Sequence, residues 1–378
     1  MSLSEVLAQH RVVVCVGSGG VGKTTTSAAL ALHAAMIGRR VLCLTIDPAK
    51  RLANSLGLTS MTTEEQLVSP ELFAQAGLEA KGQLSAMMLD TKRTFDELVA
   101  KYASSPERAK RIYDNRLYQY ISTSLAGTQE YMAMEKLYSV RENKTWDLIV
   151  LDTPPTTNAL DFLNAPEKLV DAIDSPAMRW FMQAFSGASK FGFSLLNRGA
   201  SMVLKGLSRF TGGEFLQNIA TFIGDINDLF GGFTERAKRV SDALRSPEVA
   251  FVLVTSPDPL AVQEAIFFAD KLAGSGLRQR ATVINRITPL IPEPPGRPAE
   301  VEKALAARLP AGSDLATMLE KLERALDEDR LRAVTDRGEV ERLKALTGNH
   351  GLYVEVPAFE QDVHDLAALA RVAGFLIT

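Results

Sequence analysis

The run Val12-Val13-Val14-Cys15-Val16-Gly17-Ser18-Gly19-Gly20-Val21-Gly22-Lys23-Thr24-Thr25 decides the fold. Its first five residues are apolar and four are β-branched, which reads as a strand buried on both faces, the pattern of a parallel sheet. Gly17–Thr24 then satisfies Gly, four residues, Gly, Lys and Ser/Thr, a loop whose successive backbone N–H groups wrap phosphate oxygens. Gly19, Gly20, Val21, Gly22, Lys23, Thr24 and Thr25 are therefore expected to bind a nucleotide, ATP. Lys23 would neutralise its β and γ phosphates, and the Thr24 hydroxyl would ligate Mg²⁺. Downstream, Ala28, Leu32, Ala35 and Met36 fall on one face of an amphipathic helix that ends at Gly38, and its N-terminus would point at the phosphates.

Further strand-like runs follow at Val41–Ile46, Leu84–Leu89, Asp147–Leu151, Phe251–Thr255, Thr282–Asn285 and Leu352–Val356, with helical patterns between them. That alternation predicts the α/β class, with a doubly wound, mostly parallel sheet and one P-loop domain spanning residues 1–378. Three helical stretches look inserted, at about 92–142, 165–246 and 298–346. The last alternates charged and apolar residues like a pair of surface helices, led in by Pro289, Pro292, Pro294, Pro295 and Pro298.

Composition narrows the partners. A net charge of −3 gives no general attraction for nucleic acid or anionic lipid. The sequence holds no uninterrupted apolar stretch of about 18 residues, and the segment from Met1 to Gln9 lacks the apolar core of a leader, so no integral membrane segment and a cytoplasmic location are expected. The two cysteines, Cys15 and Cys43, both sit inside strand-like runs and read as small core residues, and His10, His33, His350 and His364 are isolated.

Two carboxylates end or follow apolar strands, in Ile46-Asp47-Pro48-Ala49 and in Leu151-Asp152-Thr153-Pro154-Pro155-Thr156. Open parallel sheets gather ligands at the C-terminal ends of their strands, which puts both acids in one crevice with the loop. Asp152 suits Mg²⁺ and its waters, and Asp47 suits the orientation of an attacking water.

Together these segments resemble the ArsA and tail-anchored-protein-targeting ATPases, a branch of the deviant-Walker, MinD-like P-loop proteins. The carriers are Gly19-Gly20-Val21-Gly22-Lys23-Thr24-Thr25, Asp47-Pro48-Ala49, Leu151–Thr156, Asn285 and Val356-Pro357, in the family's order. The resemblance implies that Asp47 is a catalytic carboxylate beside Lys23, that Asp152–Thr156 reports the γ-phosphate, that Asn285 reads adenine, and that Pro357, Ala358 and Phe359 border the base. Leu125–Glu130 occupies the place of a further element near the nucleotide. The family's signature lysine is Ser18 here, with Lys50 and Arg51 as nearby cations. Relatives that clamp zinc or metalloid do so through cysteines that this sequence does not have.

The stretch 178–233 is rich in Phe, Met and Gly. Phe215, Ile219, Phe222, Ile226 and Leu229 recur at helical spacing after Met178, Phe181, Met182 and Phe185, and Gly192, Gly199, Gly206 and Gly213 recur every seventh residue. It reads either as a groove for a hydrophobic helix or as a helical layer of the domain's own core. Open functions are a carrier of hydrophobic protein segments, the energising subunit of an anion transporter, and a nucleotide switch that positions a protein partner. The partners to expect are a second copy of the chain in a homodimer and a hydrophobic helix client or membrane-protein partner.

Overall fold

β1 (Val12–Val16) lies inside an eight-stranded sheet, and its residues alternate between two hydrophobic layers. Val13 and Cys15 enter one layer, while Val12, Val14 and Val16 enter the other. Both faces of the strand are covered by apolar groups, so an unbroken apolar run is what such a strand requires. The same holds for β2 (Arg40–Thr45), β5 (Leu148–Asp152) and β6 (Val249–Thr255). The structure, a computed structural model, describes residues 2–46, 51–58, 62–116, 118–119, 122, 128–153, 171, 175–176, 222, 235–291, 298–308, 314–348 and 351–377.

With β3 (Gln66–Leu67), β4 (Gln83–Met88), β7 (Gln279–Ile287) and β8 (Leu352–Pro357), the strand order is β3-β4-β2-β5-β1-β6-β7-β8. Every pairing is parallel except β3 with β4. The chain winds outward to β2 and β4, returns to β5 beside β1, and then crosses to β6 on the other side. That reversal at β1 is the switch point where ligands of open α/β sheets bind.

One face is covered by α1 (Leu3–Gln9), α2 (Lys23–Met36), α3 (Arg51–Ser55) and α4 (Pro70–Gln75), together with the C-terminal α11 (Leu366–Ile377). The expected one-sided burial of α2 is corrected here. Ala29, Leu30, Ala31 and Ala34 are buried along with Ala28, Leu32 and Ala35, because α1 and α11 pack against α2 in addition to the sheet. The helix ends as expected, with Gly38 at φ 109°.

The other face carries α7 (Thr128–Glu142), α8 (Pro259–Gly274), the helical residues 235–244 and the end of α10 (Leu315–Thr347). α10 has 33 residues, yet only Ala333, Val340 and Leu343 are buried, so most of it is solvated. With α9 (Pro298–Ala306) it forms the expected pair of surface helices.

A third hydrophobic cluster stands apart from the sheet. It joins α5 (Thr91–Tyr102) and α6 (Pro106–Asp114) to α7 through Leu98, Val99, Ile112, Tyr118, Tyr131 and Met132, and it takes in Ala237 and Phe222. Of the stripe Phe215, Ile219, Phe222, Ile226 and Leu229, Phe222 is described, and it is buried in this cluster as a core residue. The other four, the Met178–Phe185 group and the recurring glycines lie outside the described residues.

Across the cluster's edge Arg236 meets Glu135. The guanidinium Nε lies 2.9 and 3.0 Å from the two carboxylate oxygens, Nη2 lies 2.7 Å from one of them, and the group stacks 4.1 Å over the Tyr138 ring. Burial pushes the Glu135 carboxyl above its ordinary range even though Arg236 pulls it down. Among the described residues no helix is long and apolar enough to cross a membrane.

Candidate nucleotide site

The loop between β1 and α2 turns on glycines that must stay glycines. Gly20 and Gly22 have φ of 79° and 96°, in the left-handed region where a Cβ is strained. Space is as restrictive as conformation, since a Cβ on Gly17 would lie 2.0 Å from the Val254 carbonyl oxygen and one on Gly22 would lie 2.1 Å from Asn285 Nδ2. Gly22 also caps α2 without a side chain, so the N–H groups of the first turn stay available to an anion. Lys23 is 6% exposed, and its ammonium donates to the Ser18 carbonyl at 2.6 Å, which folds it back over the loop where phosphate oxygens would replace that carbonyl.

Beside the loop, Asp152 at the end of β5 is fully buried. Its Oδ2 accepts from the Thr24 hydroxyl at 2.8 Å and from the Thr45 hydroxyl at 3.0 Å. The pairing is built into the sheet, because Asp152 is in register with Thr45 on β2 and with Cys15 on β1. The next residue, Thr153, donates its hydroxyl to the Cys15 carbonyl at 2.8 Å, so the chain leaving β5 is fastened to the strand that enters the loop.

A hydroxyl and a carboxylate are hard oxygen donors, the kind Mg²⁺ selects. The Thr24 oxygen can keep donating its proton to Asp152 while a lone pair faces the ion. The residues present therefore fit an Mg²⁺ site.

From the far side, the end of β7 grips the loop. Asn285, 8% exposed, donates Nδ2 to the Val21 carbonyl at 2.9 Å, and Arg286 donates Nη1 to the Gly20 carbonyl at 3.1 Å. The Asn285 amide thus spends a donor on the loop, while its carbonyl oxygen is the end that a base amino group would need.

The structure brings together Gly20, Val21, Gly22, Lys23, Thr24, Asp152 and Asn285. The Phe359 ring lies edge-on to Phe375 at 5.8 Å with the Arg371 guanidinium of α11 over it, and Pro357 ends β8 in register with Ile287, next to Asn285 and Arg286 on β7. Asp47, Lys50 and Leu125–Gly127 lie outside the described residues, as do the side chains of Arg51 and Glu130.

Sequence reasoning missed Thr45 and Arg286. A hydroxyl ending the apolar run Val41–Leu44 was the available sign of the first, whereas nothing in a lone arginine after Asn285 marks the second. The cysteines are core residues, and burial pushes the Cys15 thiol up to about 12 and Cys43 well above its ordinary value.

Comparison with known proteins agrees with this geometry. The family model described as anion-transporting ATPase (ArsA ATPase) matches residues 10–308. The chain is 26% identical over 311 residues to ATPase GET3 of Malassezia globosa, covering 80% of this chain and 81% of the relative. It is 26% identical over 289 residues to the ATPase get3 of Aspergillus terreus, covering 76% of each. To the ATPase get3 of Schizosaccharomyces japonicus it is 30% identical over 157 residues, 42% of this chain and 44% of the relative. A nucleotide loop at the switch point of a doubly wound sheet and a family match over most of the length have one meaning: the chain belongs to the anion-transporting ATPase family, and it is an ATPase.

Proposed function

We propose that this ATPase holds Mg·ATP on Gly17–Thr25 and uses hydrolysis to reset its helical insertions, through which it carries a hydrophobic helical segment of another protein in the cytoplasm. The observation that carries the nucleotide half is the junction at Asp152, where one buried carboxylate oxygen receives hydroxyls from the loop and from β2. Thr24 and Asp152 are the residues that would hold Mg²⁺, which when bound neutralises charge on the phosphate oxygens. Lys23 shifts from Ser18 to the β and γ phosphates, and the N–H groups of the loop and of the first turn of α2 surround them. Asp47 takes the role of orienting the attacking water, a matter of position and charge rather than covalent chemistry.

The client half rests on resemblance and on the covalent path. Residue 153 is tied to Cys15 beside the loop and leads directly into the 154–234 stretch, whose C-terminal side is fixed to α7 by Arg236 and Glu135. A shift at the γ-phosphate therefore has a short route into the Phe- and Met-rich insertion. The resemblance adds a homodimer to this reading. The family's description favours a second reading, in which the same switch energises an anion transporter. A metalloid held by thiolates does not suit it, because Cys15 and Cys43 are buried in the sheet.

Hydrogen exchange on Asp47→Asn protein, compared in its nucleotide-free, ADP and ATP forms, tests the coupling. Protection of residues 178–233 should change with ATP and change less with ADP, since a ligand shifts an equilibrium only by its difference in affinity for the two states. Identical protection in all three would remove the client reading.

A further inference from the structure

Arg286 sits at φ 63°, in the left-handed region, where the register between β7 and β8 slips between Asn285 and Ile287. A side chain there is strained, and a bulge of this kind re-aims the residue it carries. The side chain is aimed at the loop, with Nη1 on the Gly20 carbonyl, while the preceding residue holds the Val21 carbonyl. Neighbouring residues at the end of β7 thus grip neighbouring carbonyls of the P-loop.

Peptide units are planar and trans, so the C=O and N–H of one unit point in opposite directions. The Gly20 carbonyl shares its unit with the Val21 N–H, and the Val21 carbonyl shares its unit with the Gly22 N–H. Drawing both carbonyls toward β7 turns both N–H groups to the opposite side, the inside of the loop. A guanidinium, being charged, also polarises the peptide whose oxygen it holds.

We propose that Arg286 is a positioning residue for phosphate binding, which acts through the Gly20 carbonyl to aim the Val21 amide at the nucleotide. This rests on the placement of the nucleotide in loop 17–25 given above. The strain at φ 63° is the local cost of that aim, so stability and affinity should respond to substitution in different directions.

The test compares wild type, Arg286→Gly, Arg286→Met and Lys23→Ala by calorimetric titration with Mg·ADP, by thermal unfolding, and by the amide spectra of Val21 and Gly22. Arg286→Gly should leave the unfolding temperature of the nucleotide-free protein unchanged or raised, because glycine accepts this backbone. It should nonetheless bind Mg·ADP about tenfold more weakly, the loss expected of a charged hydrogen bond in a solvated setting. Arg286→Met keeps the strained backbone but has no donor, and should lose affinity to a similar extent, with the Val21 amide signal displaced in both variants. Wild-type affinity in Arg286→Gly and Arg286→Met, alongside loss in Lys23→Ala, would overturn the role of Arg286 and leave the nucleotide reading in place. A wild type that does not bind Mg·ADP would overturn both.

Discussion

At the residue scale, contacts around the loop leave no room for an added methyl group at Gly17 or Gly22. In Gly22→Ala the new Cβ would press on Asn285 Nδ2 at 2.1 Å while the backbone stays at φ 96°. Conformational strain and overpacking together should cost about 2–4 kcal/mol of stability, and displacing Asn285 should loosen the loop, lowering nucleotide affinity as well. Denaturant unfolding and a Mg·ADP titration check both, and a variant as stable as the wild type would mean that the loop yields freely. Thr45 makes the complementary point. Thr45→Val keeps the shape but removes one of the two hydroxyls on Asp152 Oδ2, so that the β2 side no longer helps Thr24 to orient that oxygen. The Mg²⁺ concentration giving half-maximal ATP hydrolysis should rise roughly tenfold, a usual size for losing a group that orients a metal ligand, and Thr45→Ser should restore it. An unchanged Mg²⁺ midpoint in Thr45→Val would reduce Thr45 to packing.

At the scale of elements, the pair Glu135–Arg236 joins α7 to the helical residues 235–244. Both side chains are nearly buried, at 4% and 9% exposure. Burial raises the Glu135 carboxyl, so its ionised form is the costly one, and Arg236 is needed to keep that charge tolerable. Breaking such a pair leaves a lone buried charge, whereas replacing both partners leaves none. Arg236→Leu should therefore cost about 3–5 kcal/mol, and Glu135→Leu with Arg236→Leu much less. The cycle is read from urea unfolding followed by two probes, because the α5–α7 cluster and the sheet could unfold separately. Equal costs for the single and double variants would mean that the two residues stabilise the helices independently.

At the scale of the whole molecule, the sheet was largely legible because parallel strands buried on both faces must be written as apolar runs. Each expected strand is present, β1 at its expected bounds and the other six with one or both ends displaced by one to three residues, as when Leu84–Leu89 becomes β4 at Gln83–Met88. β3 was not legible, since two residues, Gln66 and Leu67, hold it to an edge through an antiparallel pairing that leaves no period to read. The two-sided burial of α2 was hidden for another reason. It depends on α11, at the far end of the chain, and a local pattern cannot report a distant cover. The site divides in the same way. Lys23, Thr24 and Asp152 follow from motif and strand end, but the grip of β7 on the loop depends on a left-handed arginine that no residue type announces.

In the proposed function one loop, Gly17–Thr25, carries the nucleotide of this ATPase. Calorimetric titration of Mg·ATP into Asp47→Asn and into Asp47→Asn/Lys23→Ala measures it without turnover intervening. Asp47→Asn should bind one ATP per chain, and adding Lys23→Ala should weaken binding by on the order of a hundredfold or more, the cost of removing a charged donor from buried phosphate oxygens. Equal affinity in the two proteins would contradict the claim and place the nucleotide elsewhere.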